Sequence, residues 1–115
     1  MKVVHYTDLE AKPYENETAH NAKGRLLMGK DDGAPFALRL FELGESGSSM
    51  LHSHPYEHEV FVHGGVGQVL RDGVWVDLKA GDAVYIPANE EHQLRNAGNE
   101  PFFFVCGVPK GAPEL

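Results

Sequence analysis

Short apolar segments alternate with turn-forming residues along most of the chain from Gly24 onward. These segments are four to eight residues long and carry the β-branched and aromatic residues typical of strands. No apolar pattern continues with helical spacing for more than about two turns. The pattern therefore predicts an all-β chain of sandwich or barrel type. The predicted strands span residues 25–28, 36–43, 59–63, 67–71, 74–78, 83–86, 92–95 and 102–108.

The clearest turn is Asp72-Gly73, which separates the apolar segments 68–71 and 74–77. Asp-Gly favours a type I′ turn, because the twist of that turn matches the twist of the two flanking strands. The sequence therefore predicts a β-hairpin here. Two further turns are predicted over residues 79–82 and 86–89.

At 115 residues, the chain is predicted to form one domain, residues 1–115. Its hydrophobic content of 42% and charged content of 23% are ordinary for a globular protein, and 13 glycines with 7 prolines favour turns over helices. Residues 1–23 are polar and show no clean periodicity. We interpret them as an N-terminal arm, made of an edge strand and a loop, that is available to pack on a partner subunit.

The formal net charge of -7 opposes binding to nucleic acid, which needs clustered Lys and Arg to displace counterions. No apolar run approaches the roughly 20 residues of a membrane span, and the N-terminus lacks the apolar segment of a signal peptide. Cys106 is the only cysteine, so no internal disulfide can form. We therefore expect a cytoplasmic protein that binds neither nucleic acid nor membranes.

Four histidines form the most informative pattern in the sequence. His52, His54 and His58 follow one another at even spacing, and His92 comes after two further strand-like stretches. Side chains two residues apart on a strand point to one face, so the first three imidazoles are predicted to converge. A compact β-fold can return His92 to the same place. The pattern predicts a mononuclear metal site with four imidazole ligands.

The residues around these histidines resemble two motifs of the cupin superfamily. In the first family motif, a glycine precedes a His-x-His pair, and a glutamate and a second glycine follow it. Here Gly47 stands one residue closer to His52 than usual, His54 completes the pair, and Gly65 closes the motif. His58 occupies the position that usually holds the glutamate.

The second family motif contains two glycines, a proline, a histidine and an asparagine. Gly81, Pro87, His92 and Asn96 match it at the expected intervals, and Asn89 stands in place of the inner glycine. Asparagine tolerates the left-handed backbone conformation almost as well as glycine does, so this replacement is physically mild.

The resemblance covers residues 36–108, which form the predicted metal-site core. It implies a double-stranded β-helix, or jelly-roll barrel, of the small single-domain (type-2) cupins with a four-histidine mononuclear centre, and it favours a homodimer. Imidazole suits zinc, copper, iron and nickel, so the donor type alone does not choose among divalent ions. The resemblance favours manganese, with iron second.

Glu59 is an alternative ligand, because it also fits the family spacing and would restore the more common three-histidine, one-glutamate centre. Strand alternation, however, places Glu59 on the face opposite to His58, Val60 and Val62 unless a bulge intervenes. We therefore predict that His58 is the ligand. His63 shares the parity of Glu59 and is interpreted as a solvated or supporting residue.

Three further residues are candidates for the wall of a substrate pocket. Cys106 shares strand parity with Phe104, and in the resembling cupins this strand lines the cavity near the metal. Cys106 is interpreted first as a small buried hydrophobe and second as a reactive thiol. Arg39 lies among apolar residues, so its burial would need an anionic ligand or partner. An ion pair or a solvent-facing position is the alternative for Arg39.

The leading functional hypothesis is a mononuclear metalloenzyme of the oxidoreductase, dioxygenase-like type that acts on a small oxygen-chelating compound. Four neutral imidazoles leave a divalent ion with its full formal charge, which favours an anionic ligand. Two alternatives stay open: a non-catalytic module that binds metal and a small ligand, and a metal-dependent isomerase or lyase. No general base stands out in the motifs, so no catalytic residue is assigned, and the fold alone does not separate these chemistries.

Overall fold

The computed structural model describes all residues, 1–115, and consists almost entirely of β-strands. Every strand pairing is antiparallel, which confirms the predicted all-β jelly-roll fold. Two 3-10 helices, Tyr6–Asp8 and Lys30–Asp32, are single turns, and no helix is long and apolar enough to span a bilayer. The strands are β1 (Lys12–Tyr14), β2 (His20–Met28), β3 (Phe36–Ser48), β4 (His58–Gly64), β5 (Val66–Arg71), β6 (Val74–Lys79), β7 (Ala83–Ile86), β8 (Leu94–Asn96) and β9 (Phe102–Pro109).

The long strand β3 joins the two halves of the sheet. The strand order is β6-β5-β8-β3-β9-β4-β7. Outside this order, β2 pairs with β3 and β1 pairs with β2. Most of β3 pairs with β9, whereas its last residue, Ser48, pairs with Arg95 of β8. Because one strand belongs to both halves, the sheet curls around a common interior.

Side chains of β9 and β4 alternate strictly between the interior and the outer face. Burial alternates along β9, and its inward residues are at most 3% exposed: Phe102, Phe104, Cys106 and Val108. On β4, His58 and Val60 are buried, whereas Glu59 and His63 are exposed. The strand parity used to place Glu59 opposite to His58 is therefore correct, and no bulge separates the two residues.

The backbone conformations predicted for two turns are confirmed. Asp72 and Gly73 have φ values of 50° and 75°, as a type I′ turn requires, and they join β5 to β6. Asn89 has a φ of 68°, so it adopts the left-handed conformation that the family motif reserves for glycine.

The boundaries of the N-terminal strands differ from those expected. β2 begins at His20 rather than Arg25, and β3 continues to Ser48 rather than ending at Leu43. Both extensions are polar and contain irregular pairing, including a register shift between His20 and Ala22. The apolar alternation used to recognise strands is therefore missing there, although the backbone is paired.

Asn96 ties the end of β8 to the interior of the barrel. Its Nδ2 atom donates hydrogen bonds to Leu43 O at 3.0 Å, Gly44 O at 3.0 Å and Glu100 O at 2.8 Å. Its Oδ1 atom accepts one from Gly98 N–H at 2.8 Å. The side chain is 7% exposed, so this motif asparagine has a structural role away from the histidines.

Replacing Gly67 with alanine should destabilise the fold. A Cβ atom on Gly67 would lie 2.5 Å from two ring carbons of Phe102, which is 0% exposed, and 2.7 Å from Arg95 O. Because Phe102 is enclosed, the clash should lower the free energy of unfolding by about 1–3 kcal/mol in urea denaturation. Gly64→Ala is the matched control, since its Cβ would meet only Phe103 Cδ2 at 3.7 Å. Equal stability of the two variants would contradict this packing.

Candidate metal centre

Backbone hydrogen bonds bring the four histidines together from separate segments. His52 N–H donates to His92 O at 3.2 Å and His92 N–H donates to His52 O at 3.0 Å, so the two residues form an isolated β-bridge. The loop that carries His54 is held by Asn89 N–H, which donates to His54 O at 2.7 Å. His58 opens β4. The bridge therefore brings His92 beside His52, and the rings of His52 and His54 lie on the same side of their segment, 4.7 Å apart, as their two-residue spacing predicts.

The four imidazole rings surround one small space. One candidate donor atom from each ring can be chosen so that all four atoms lie within 4.8 Å of one another. Five of the ring pairs are in direct contact, with centroid separations from 4.5 to 5.1 Å. His58 and His92 are buried and the other two rings are half-buried. The geometry brings together the four residues predicted as ligands.

Two of the rings are oriented by backbone carbonyl groups. His54 Nδ1 donates to Tyr56 O at 2.8 Å, and His92 Nδ1 donates to Glu90 O at 2.9 Å. The Tyr56 ring also stacks on the His54 ring, with centroids 3.8 Å apart and an interplanar angle of 9°. A proton on Nδ1 leaves the lone pair of Nε2 free, which is the arrangement that metal-ligating histidines usually have.

His58 has polar neighbours at both ring nitrogens. His58 Nε2 lies 2.8 Å from His54 Nε2, which acts as the acceptor because its own ring carries the proton on Nδ1. His58 Nδ1 then accepts from Arg39 Nη2 at 3.2 Å and lies 3.1 Å from Cys106 Sγ. For His58 Nε2 to offer a lone pair to a cation, its proton must move to Nδ1. Cys106 Sγ, 3.1 Å away, is placed to accept a hydrogen bond from the Nδ1–H group that results.

Three of the four rings, those of His52, His58 and His92, are held in the uncharged form. Desolvation, followed by the neighbouring charges of His92, His54 and Arg39, lowers the pKa of His52 to about 4. Desolvation and the Arg39 charge lower the pKa of His58 to about 3, and desolvation also lowers the pKa of His92. Neutral imidazole is the form that binds metals, so this donor set fits a divalent ion that accepts nitrogen ligands.

The predicted pocket residues lie in the wall of a cavity of about 350 Å³ that His52, His58 and His92 also line, whereas His54 does not. Arg39, Phe104 and Cys106 all line it. Burial raises the pKa of Cys106, while the Arg39 charge and hydrogen bond oppose that change, so Cys106 stays a thiol. Glu59 is absent from the lining.

Sequence reasoning missed several residues of this cavity. Tyr14 comes from β1 in the N-terminal arm, and Pro113 with Leu115 comes from the segment after β9. The backbone of Lys30 holds this last segment, because its N–H donates to Glu114 Oε2 at 2.6 Å. The segments have no periodicity or metal-ligand spacing, so only their tertiary position reveals their contribution.

The sequence and the fold place this protein in a known family. The family model described as the cupin domain, Cupin_2, matches residues 39–108, which is more than half of the chain. The chain therefore belongs to the cupin family, as its two motifs and its jelly-roll fold indicate.

Individual relatives agree with this assignment. The structure of the polyketide cyclase RemF from Streptomyces resistomycificus is 31% identical, with a TM-score of 0.90 over 98% of this chain and 82% of that one. A predicted oxalate decarboxylase from Thermotoga maritima shares the fold at 21% identity, with a TM-score of 0.86 over 94% of this chain and 98% of that one. An uncharacterized protein of Methanocaldococcus jannaschii is 25% identical over 92% of this chain and 86% of its own length.

The stability of the metal-free protein should fall on mild acidification. The pKa values of His52 and His58 are about 4 and 3 in the folded state, against a usual value of 6.5. Between these values and pH 6.5 the unfolded chain binds more protons, so stability is complete above pH 6.5 and is lost as the pH falls toward 4. Urea midpoints measured at pH 7.5 and pH 5 should show the decrease.

The variant His58→Gln should reduce this pH dependence, whereas His63→Gln, which changes an exposed residue, should leave it intact. A metal-free protein with the same urea midpoint at both pH values would show that the rings are not held neutral by the fold.

Proposed function

We propose that this cupin is a metalloenzyme that holds one divalent cation through His52, His54, His58 and His92 and acts on a small oxygen-bearing compound. The observation that carries the proposal is the cluster of four imidazoles, three of which, His52, His58 and His92, line an apolar cavity of about 350 Å³. This volume is at the lower end of the range of about 300–1,000 Å³ usual for small-molecule sites. Apolar walls with a few convergent polar groups are typical of such sites.

Manganese is the proposed ion, with iron second and zinc, nickel or copper as alternatives. The resemblance to four-histidine cupins supports this order, since imidazole alone does not discriminate among these ions. When bound, the divalent ion would supply Lewis acidity toward oxygen atoms of the ligand, undiminished by any carboxylate in the donor set.

We place the reaction first in the redox-neutral class, as an isomerase, lyase or ring-closing enzyme. The likeness to a polyketide cyclase at 31% identity favours this class over the oxidoreductase class, which is the leading hypothesis from the sequence alone. No Asp or Glu lines the cavity, so its wall offers no side-chain carboxylate as a general base. Its lining residues would bind and orient the compound and exclude water, while Tyr56 and the backbone carbonyl of Glu90 hold two of the imidazoles in position.

A dioxygenase-type oxidation is the second candidate. Manganese and iron are redox-active ions, and the apolar walls of the cavity, including Phe104 and Leu94, would admit dioxygen beside an organic ligand. The third hypothesis is a non-catalytic module, which would bind the metal and the ligand but form no product.

Loss of a predicted ligand should abolish metal binding. Wild-type protein dialysed against manganese and then against buffer should retain about one ion per chain, whereas His92→Ala should lose at least about 90% of it, because removing even supporting groups lowers affinity about 10- to 100-fold. Elemental analysis by mass spectrometry measures the content. Glu59→Gln is the matched control, since Glu59 points away from the cavity. Metal loss in Glu59→Gln with retention in His92→Ala would contradict the proposed donor set.

The class of reaction can be read from the requirement for oxygen. Diketones, catechols and flavonols are incubated with the metal-loaded protein in air and under argon, and products are followed by chromatography together with oxygen uptake. The proposed function predicts product under argon without oxygen uptake, and none with His92→Ala. Uptake that depends on His92 would select the dioxygenase instead. Saturable binding without product under either gas would select the non-catalytic module.

A further inference from the structure

Arg39 is a buried cation without a counter-charge. Its side chain is 7% exposed, and no Asp or Glu oxygen lies within ion-pair distance of it. Its recorded hydrogen bonds all use Nη2, which contacts two neutral partners, His58 Nδ1 at 3.2 Å and Cys106 Sγ at 3.0 Å. Arg39 Nε is buried with no acceptor. Burial of a guanidinium in this state is unfavourable unless something else supplies negative charge.

Tyr14 presents a second unpaired donor, and both Tyr14 and Arg39 lie beside the ring of Phe41. Its hydroxyl group is buried and has no hydrogen-bond partner. The Tyr14 ring lies 6.0 Å from the ring of Phe41, and the guanidinium carbon of Arg39 lies 5.0 Å from that ring. Burial raises the pKa of Tyr14, with the Arg39 charge opposing the change, so the hydroxyl stays protonated and can donate.

Gly24 is the residue that permits this arrangement. A Cβ atom there would lie 2.8 Å from Phe41 Cε1 and 3.1 Å from Tyr14 Cε2. Gly24 thus lets the Tyr14 ring approach Phe41, although Tyr14 OH gains no protein partner there.

Both residues belong to the wall of the cavity that His52, His58 and His92 also line. Arg39 and Tyr14 line it together, and Arg39 is the only Lys or Arg among the lining residues. The surrounding wall is mainly apolar. The two donors and the unbalanced positive charge therefore match one kind of ligand group, an oxyanion. A carboxylate accepts two or more hydrogen bonds and carries the missing charge.

We propose that Arg39 and Tyr14 form an oxyanion subsite, and that the compound bound in this cavity is a small organic acid with an apolar body. This proposal rests on the proposed function in one respect: the end of the ligand opposite to its anionic group is assigned to the metal site of the four histidines. The anionic end is recognised by these two residues whether or not a metal is present.

The subsite has a consequence for stability in the absence of ligand. Replacing Tyr14 with Phe removes a buried unpaired hydroxyl and keeps the ring, while replacing Arg39 with Met removes an unpaired charge and keeps much of the side-chain volume. Both variants should therefore melt at or above the temperature of the wild-type protein. A residue whose role is purely structural would give the opposite result.

The binding experiment uses metal-free protein at pH 8 with two probes of nearly equal shape, benzoate and benzamide. At this pH His52, His58 and His92, whose pKa values are lowered, are neutral, which leaves Arg39 as the cationic side chain of the cavity wall. Calorimetry should show wild-type protein binding benzoate about tenfold or more tightly than benzamide. Arg39→Met should remove this preference, and Tyr14→Phe should weaken benzoate binding about 3- to 10-fold. Tyr85→Phe, which changes an exposed tyrosine, is the matched control and should bind as wild type.

The results separate the subsite from the metal function. Equal binding of the two probes to wild-type protein, or a benzoate preference that survives Arg39→Met, would overturn the subsite. If Arg39→Met does not fold, Tyr14→Phe decides: unchanged benzoate affinity together with a lower melting temperature would overturn it. A benzoate preference that depends on Arg39 in a protein that binds none of manganese, iron, zinc, nickel and copper would leave the subsite standing and refute the proposed metal function.

Discussion

Four imidazole rings packed against one another form the arrangement on which the rest of this structure depends. The β-bridge between His52 and His92 joins two loops, and the carbonyl groups of Tyr56 and Glu90 fix the tautomers of two rings. Burial then holds His52, His58 and His92 neutral, because a charged imidazole would lose its hydration, and Arg39 adds repulsion at His52 and His58. A fold that gathers one nitrogen atom from each of four rings within 4.8 Å is arranged to receive a cation.

The parts of the fold that follow from local rules were predictable from the sequence. Strand alternation correctly separates His58 from Glu59, and the Asp72-Gly73 pair identifies its hairpin, because these features depend on neighbouring residues alone. The same holds for Asn89, whose left-handed conformation follows from its place in a glycine position. The four histidines were recognisable as a group from their spacing, and the rings of His52 and His54 lie together as that spacing predicts.

Features that arise from distant chain segments were not predictable. Tyr14 reaches the cavity because β1 pairs with β2, and Leu115 reaches it because the segment after β9 folds back. Neither position shows an alternation or a motif. The unpaired state of Arg39 is equally invisible in the sequence, because an arginine among apolar residues is most often paired with a carboxylate or directed to solvent. Only the folded structure shows that Arg39 is buried without a carboxylate partner, and this observation leads to the proposal of an anionic ligand.

The central claim is that the four imidazoles share one cation, and X-ray absorption spectroscopy tests it most directly. Zinc serves as the probe because its bonds to imidazole nitrogen have a well-defined length of about 2.0–2.1 Å. The account predicts one zinc ion per chain, with a first shell of nitrogen at this distance and the multiple scattering of several imidazole rings. A first shell made of oxygen or sulfur without imidazole scattering, or no bound zinc, would contradict it.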